Sequence, residues 1–325
     1  MYHDHLIMYV ANFGLCVEGF GLYYWIVKLN KGTDDGDRRK LIDWYQGNDE
    51  ICTGYATHGD FDFFNGNHMR VLDNLLTGVI DPWKSNPQVK SVELCPIRRD
   101  MRESGVNMID AVGDDYRQCI YGDAQLKAMA NFQNKMDLTD LRLLAALNAK
   151  RPMSEVYDYK VLAEVSGLDP KRMEEDISRI VDTKRLLTPL FHLDFAKVGL
   201  TNHMFVIRTF QTTPSYRKAE MVDELMKEKE FNTVFEFTDS YYDISCWAYN
   251  EISDIDALRK RIYSYSEVES VMEADGDRQF RRWTCRLDAD TGNWEECVFT
   301  DDFLENRTEA RDPAACRFTI RRDEK

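Results

Sequence analysis

Two phrases in this chain carry acidic side chains at matched spacing. Thr57 to Phe64 reads THGDFDFF, with Asp60 and Asp62 just after Gly59; about 180 residues later Thr238 to Tyr249 reads TDSYYDISCWAY, with Asp239, Tyr242 and Asp243. A carboxylate beside a small turn residue can hold the amine or hydroxyl of a small ligand, and it can equally serve the turn itself. Histidines stand close by: His58 and His68 bracket the first turn, and His192 and His203 bracket the entry to the second region. They titrate in the right range for proton exchange, but a histidine beside a strand end is usually a polar rim residue. A third group, Lys171, Arg172, Ser178 and Arg179 with Lys184 and Arg185 behind it, is of the type that meets phosphates and base edges.

Other chemistries leave no trace. There is no GxSxG elbow and no phosphate-binding P-loop, so no catalytic residue is assigned. The eight cysteines form no CxxC pair. Cys52, Cys95 and Cys246 lie in apolar, strand-like text and read as reduced core thiols. Cys285, Cys297 and Cys316 fit no metal-ligand spacing. Neither a metal nor a cofactor is expected.

The composition narrows the partners. A formal net charge of -15 opposes indiscriminate coating of nucleic acid, while leaving room for one local basic surface. With 43% hydrophobic and 30% charged residues the chain reads as soluble and globular. No apolar run approaches the roughly 18 residues of a spanning helix, and MYHDHLIMYV lacks the features of a signal peptide. No membrane association and a cytoplasmic location are expected.

The matched phrases belong to matched units. In the first, an apolar strand Gly21 to Leu29 leads to a helix Asp37 to Tyr45, strands Ile51 to Thr57 and Phe61 to Phe64, a helix Arg70 to Leu76 and a strand Val89 to Leu94. The second runs through strand His203 to Thr209, helix Arg217 to Lys229, strands Thr233 to Phe237 and Asp243 to Tyr249, helix Ile255 to Tyr263 and strand Val268 to Met272. Each reads βαββαβ, the ferredoxin-like order, with two helices on one face of an antiparallel sheet. The other face must be covered, either by the second copy or by another chain.

Between the copies the period changes. Leu138, Leu141, Leu144 and Leu147 share a helical face; Tyr159 to Ser166 is a short helix stopped by Gly167; Asp169-Pro170 opens a third, with Met173, Ile177 and Ile180 inward. Leu186-Leu187 and Phe191 to Phe195, separated by Thr188-Pro189, read as a hairpin wing. This is a winged helix-turn-helix, whose third helix can enter a major groove.

From Leu138 to Gly199, with LAEVSGLDPKRMEEDISRI at its centre, the chain resembles the DNA-binding domain of the Lrp/AsnC (leucine-responsive regulator) family. The region beyond Gly199, with its Tyr-Asp turn and closing ESVME strand, is similar to that family's RAM sensing domain. GDFDFF is similar to the family's Gly-x-Tyr-Asp-Tyr turn. The expected class is therefore α+β, with two ferredoxin-like, RAM-like units flanking a winged helix-turn-helix. The divisions are 1–104, a connecting helix at 105–135, the winged helix at 136–198, the second RAM-like unit at 199–276, and a hairpin and tail at 277–325.

The resemblance implies a DNA-binding transcription regulator that answers a small effector such as an amino acid. Its partners would be double-stranded DNA, through Lys171, Arg172, Ser178, Arg179, Lys184 and Arg185, and copies of itself through sheet pairing. By carry-over, Gly59, Asp60 and Asp62, with Asp239, Tyr242 and Asp243, are the effector-site candidates. The chain also departs from the pattern: Asp176 stands where family members commonly place Arg, and a carboxylate facing phosphate would oppose binding. Sirohaem decarboxylases resemble the same family, and in that reading His58, Arg98, Arg99 and Arg208 would face a tetrapyrrole. A ligand-sensing scaffold that binds no DNA is the third alternative.

Overall fold

The computed structural model describes residues 7–10, 21–46, 53–69, 72–102, 139–140, 143, 146, 158–183, 188–191, 201–228, 230–238, 240–250, 252–282, 285–287 and 294–296. The connecting helix expected at 105–135, with Lys184, Arg185, His192 and Asp239, lies outside them.

After a short strand β1 (Ile7–Val10), the first βαββαβ run comprises β2 (Gly21–Leu29), α1 (Asp35–Gln46), β3 (Thr53–Gly59), β4 (Phe63–Met69), a helical stretch α2 and β5 (Val89–Arg102). In α2, Leu72–Leu75 passes through a π-turn, Leu76–Ile80, into Asp81–Lys84. It runs past its expected end because Pro82 sits in the first turn of the last piece, where a missing N–H costs little. Next come α3 (Tyr159–Ser166), a 3-10 turn Pro170–Arg172, α4 (Met173–Ser178), a π-turn Arg179–Thr183 and β6 (Thr188–Phe191). The second run then comprises β7 (Thr201–Thr209), α5 (Ser215–Leu225), β8 (Phe231–Phe237), β9 (Ile244–Asn250), α6 (Ile252–Tyr263) and β10 (Val268–Arg282). Strands β11 (Cys285–Leu287) and β12 (Trp294–Glu296) form the hairpin read from the tail, Leu287 opposite Trp294.

The strands pair in the order β3-β4-β2-β5-β8-β9-β7-β10, every neighbour antiparallel, and β10 pairs with both β7 and β3. Eight strands thus close on themselves. The uncovered sheet face of each run is met by the other run of the same chain, and closure removes both sheet edges. Two long strands make the joins. β5 pairs with β2 through Pro96 and with β8 from Ile97 on; β10 pairs with β7 through Gly276 and with β3 from Ala274 on.

Alternation explains why these strands are apolar on both faces. Tyr24 and Ile26 of β2 turn into the enclosed core, while Trp25 and Val27 turn outward into the layer that holds Leu41 and Tyr45 of α1 and Leu75, Val79 and Trp83 of α2. Phe205 and Ile207 of β7 meet Met221, Val222 and Leu225 of α5 and Ile255, Leu258 and Ile262 of α6 in the same way. The enclosed core is aromatic. Tyr24 lies 4.8 Å from Phe235, and Trp247 packs edge-on at 5.2 Å from Phe64 and 5.0 Å from Tyr55, joining residues of both runs. Burying each such ring is worth roughly 2–3 kcal/mol, so the two runs are held as one core. Gly66 is required by this packing: a Cβ there would come within 2.6 Å of the Tyr24 ring.

In the middle segment, the Asp158 carboxylate caps α3, accepting from the Lys160 N–H at 2.8 Å, and Gly167 ends it at φ +69°. Met173 and Ile180 are buried as expected. The wing differs from its expected form. Thr188-Pro189 lies inside β6, which pairs antiparallel with β1, Tyr9 opposite Pro189. A proline is tolerated in such a two-stranded pairing because its missing N–H can face away from the partner.

Candidate functional site

The two acidic phrases do the same structural work. Asp62 accepts the Leu29 N–H through Oδ2 at 2.8 Å and pairs with Arg38 of α1 through Oδ1 at 2.8 Å. Asp243 accepts the Thr209 N–H through Oδ2 at 2.7 Å and pairs with Lys218 of α5 through Oδ1 at 2.5 Å. Each carboxylate therefore ties the last residue of the first strand to the following helix. The backbone is shared too, with Asp62 N–H donating to Val27 O and Asp243 N–H to Ile207 O, both at 2.9 Å. Both oxygens of each carboxylate are thus engaged within the fold.

The turns before these aspartates sit against the opposite run. Asp60 N–H donates to Glu273 O at 2.8 Å, and the Asp60 carboxylate accepts the Glu273 N–H at 2.9 Å, so the first turn is clamped to β10. Gly59 makes the approach possible: it has φ +145°, and a Cβ would stand 2.4 Å from Glu273 O. The second turn is one residue longer and touches β5 through Thr238 N–H to Pro96 O at 2.8 Å. Its Tyr242 is buried, as Phe61 is in the first turn, and donates to the Met272 sulfur at 2.9 Å. Burial pushes the Tyr242 hydroxyl well above its usual pKa, so it stays protonated.

A cluster of which the sequence singled out only His203 lies on the outer side of the β7–β10–β3 join. His203, buried, has Nδ1 2.6 Å from Asp275 and Nε2 3.1 Å from Glu273, and Arg259 of α6 donates to both Glu273 oxygens at 2.6 and 2.7 Å. Burial works to raise the Glu273 carboxyl, but the bonds from Arg259 and His203 outweigh it and hold the group below its usual value. Because the two imidazole nitrogens face different carboxylates, the group does not converge on one point; among the described residues no cluster of His, Cys, Asp and Glu is arranged to hold a metal.

Of the four tetrapyrrole candidates, two share a partner. Arg98 and Arg99 both pair with Glu236 of β8, which is fully buried, and Arg99 reaches on to Asp223 and the Ala219 carbonyl of α5. Exposed His58 faces Asp277 at 3.2 Å. Arg208 pairs through Nε with Glu269 at 2.8 Å and lies 4.3 Å over the Tyr241 ring.

On the third helix of the middle segment, Asp176 is buried. It pairs with Arg179, which also donates to the fully buried Asp140 at 2.6 Å, and Arg172 approaches it at 3.6 Å. Burial would lower the Arg179 pKa, but the two carboxylates raise it. Arg179 is therefore turned toward the helix preceding α3, leaving Lys171 and Arg172 exposed beside exposed Glu174 and Glu175, with Ser178 half-buried. Asp140 was missed because its neighbours Leu138 and Leu141 dominate the apolar pattern. The available signal was an acid inside the leucine-patterned stretch, three residues before Leu143.

No protein-family model matches the sequence, and no curated protein matches it. Among solved structures, the chain is similar to the siroheme decarboxylase NirDL at 12% identity, with a TM-score of 0.52 over 94% of this chain and 82% of that one. The complex of that enzyme with an iron-uroporphyrin III analogue gives 11% identity and a TM-score of 0.52 over 93% and 81%. These two share the overall fold. An AsnC family transcriptional regulator from Agrobacterium tumefaciens overlaps 46% of this chain and 95% of its own at 22% identity, with a TM-score of 0.36. Among the described residues no helix is long and apolar enough to cross a membrane.

Proposed function

We propose that the chain is a transcription regulator of the Lrp/AsnC type, in which two RAM-like units, 1–104 and 199–276, close one barrel and a winged helix at 136–198 contacts double-stranded DNA. The observation that carries this reading is the burial of Asp176 against Arg179. The carboxylate that would have opposed phosphate is neutralised inside the fold, and the start of the helix offers Lys171 and Arg172. Lys184 and Arg185 would extend that surface. An effector would sit between the runs at the two turns, Gly59 to Asp62 and Asp239 to Asp243; there Asp62 and Asp243 shape the site and do not chelate the ligand, since their oxygens are already bonded.

The deciding experiment is selection of bound fragments from a random duplex library at two salt concentrations. Enrichment of one sequence, reduced by Lys171→Ala and Arg172→Ala, supports the reading; no enrichment at either salt ends it.

A second reading is favoured by the fold likeness over nearly the whole chain to the siroheme decarboxylase. In it the chain binds a tetrapyrrole, with exposed His58 and half-buried Arg208 among its polar contacts. Titration with iron uroporphyrin, followed by absorbance, tests it: a saturable band shift lost in Arg208→Gln supports it, and an unchanged spectrum removes it.

A further inference from the structure

The two turns are related by the repeat, and each bonds the opposite run; the first does so through a side chain as well as the backbone. Asp60 and Glu273 close it with a reciprocal pair of bonds, over a glycine that permits contact. Among the described residues the second has no such pair: Ser240 donates its hydroxyl to Tyr242 O within the turn, and Tyr241 stands 53% exposed. Beside it, alternation places Arg208 on the same side of β7 as the inward Val206, one step beyond the packed core. Its Nε faces Glu269, its plane rests on Tyr241, and among the described residues no acceptor bonds its two terminal Nη atoms. The corresponding residue of the first run is Lys28, which has no planar fork.

We propose that the edge formed by Arg208, stacked on Tyr241 beside the second turn, binds the carboxylate of a small monocarboxylic ligand. A guanidinium whose orientation is fixed by a carboxylate at Nε and a ring beneath it presents two parallel donors, the geometry a carboxylate accepts in bidentate fashion. Glu269, and Glu93 on the inner side of the neighbouring β5, disfavour a second negative charge on the ligand. Tyr242, buried in the core, packs edge-on against Tyr241 at 4.9 Å. The proposal rests on the reading that an effector sits at the turns, and it assigns that site to one turn and one chemical class.

The test is calorimetric titration of the full chain with benzoate, phenylacetate, isovalerate and the twenty amino acids, each against its amide. At least one carboxylate is expected to bind, its amide at least about tenfold more weakly, with Arg208→Gln lowering affinity by about tenfold or more at unchanged melting temperature. Arg208→Lys is expected to fall between, and Lys40→Gln, an exposed cation on α1 away from both turns, to stay within about twofold of the parent. Absence of binding by every carboxylate, equal binding of the amide, or full affinity in Arg208→Gln overturns the proposal. The two readings fail separately. A carboxylate that binds through Arg208 without altering DNA retention leaves this site standing and removes the regulator; one that alters DNA retention equally in Arg208→Gln does the reverse.

Discussion

Asp62 and Asp243 show how a repeated residue can be explained by bonding before any ligand is considered. Both carboxylates join a strand end to a helix, but Asp243 is more deeply buried, its side chain 7% exposed against 31% for Asp62. Removing one partner of a buried pair costs about 3–5 kcal/mol, and less where water can reach the other. Asp243→Ala is therefore expected to destabilise by about 3 kcal/mol and Asp62→Ala by about half that, read from urea unfolding; equal or negligible losses would count against this account. Glu273 adds a pH signature. Its folded pKa is lowered from 4.5, so its contribution is present above that value and is lost as pH falls through the lower folded one. The stability gap between the parent and Glu273→Gln, about 1–3 kcal/mol for hydrogen bonds to a charged group, should be full at pH 6 and shrink below about pH 4.5. A gap that widens on acidification would refute the assignment.

At the scale of elements, α4 illustrates why a charge count along a helix misleads. Counted from sequence, the acids of the surrounding stretch (Asp169, Glu174, Glu175, Asp176 and Asp182) cancel its bases (Lys171, Arg172, Arg179, Lys184 and Arg185); in the fold, Asp176 and Arg179 are drawn inward to Asp140. Arg179 and Arg172 should then behave differently. Arg179→Ala removes the cation that faces both buried Asp140 and Asp176 and should speed hydrogen exchange across residues 158–183, with DNA retention falling as a consequence. Arg172→Ala should lower DNA retention with exchange unchanged. Parallel behaviour of the two variants would show that Arg179 is not the internal tie. Gly59 is the corresponding point in the sheet: at φ +145° and against Glu273 O, Gly59→Ala is expected to cost about 2 kcal/mol or more, whereas Gly32→Ala, at φ +99° with open space around it, should cost about 1 kcal/mol from backbone strain alone.

At the scale of the molecule, the sheet face left open in each run, expected to be covered by the second copy or by another chain, is covered by the other run of this one. The aromatic core of Tyr24, Phe64, Phe235 and Trp247 draws on both runs, and the two joins are locked by Arg99 with Glu236 and by Asp60 with Glu273. Closure in one chain predicts a melting temperature that does not change over a hundredfold range of protein concentration, because no association step is needed to form the core. A rise with concentration would place part of that core between chains.

The order of elements was legible because each run alternates apolar residues at strand period and then at helix period, and because turn and cap residues such as Asp158, Gly167 and Asp169-Pro170 mark their ends locally. The candidate turns were legible for the same reason, as a phrase written twice. What the aspartates bond to was not, since Leu29 and Arg38 lie 33 and 24 residues from Asp62 and only the folded chain brings them together. Nor was the partner of the open sheet faces: an apolar strand records that both its sides are covered, and not by which strand. The extension of β5 past Pro96 and of β10 past Gly276 decided that, by carrying each last strand across to the other run.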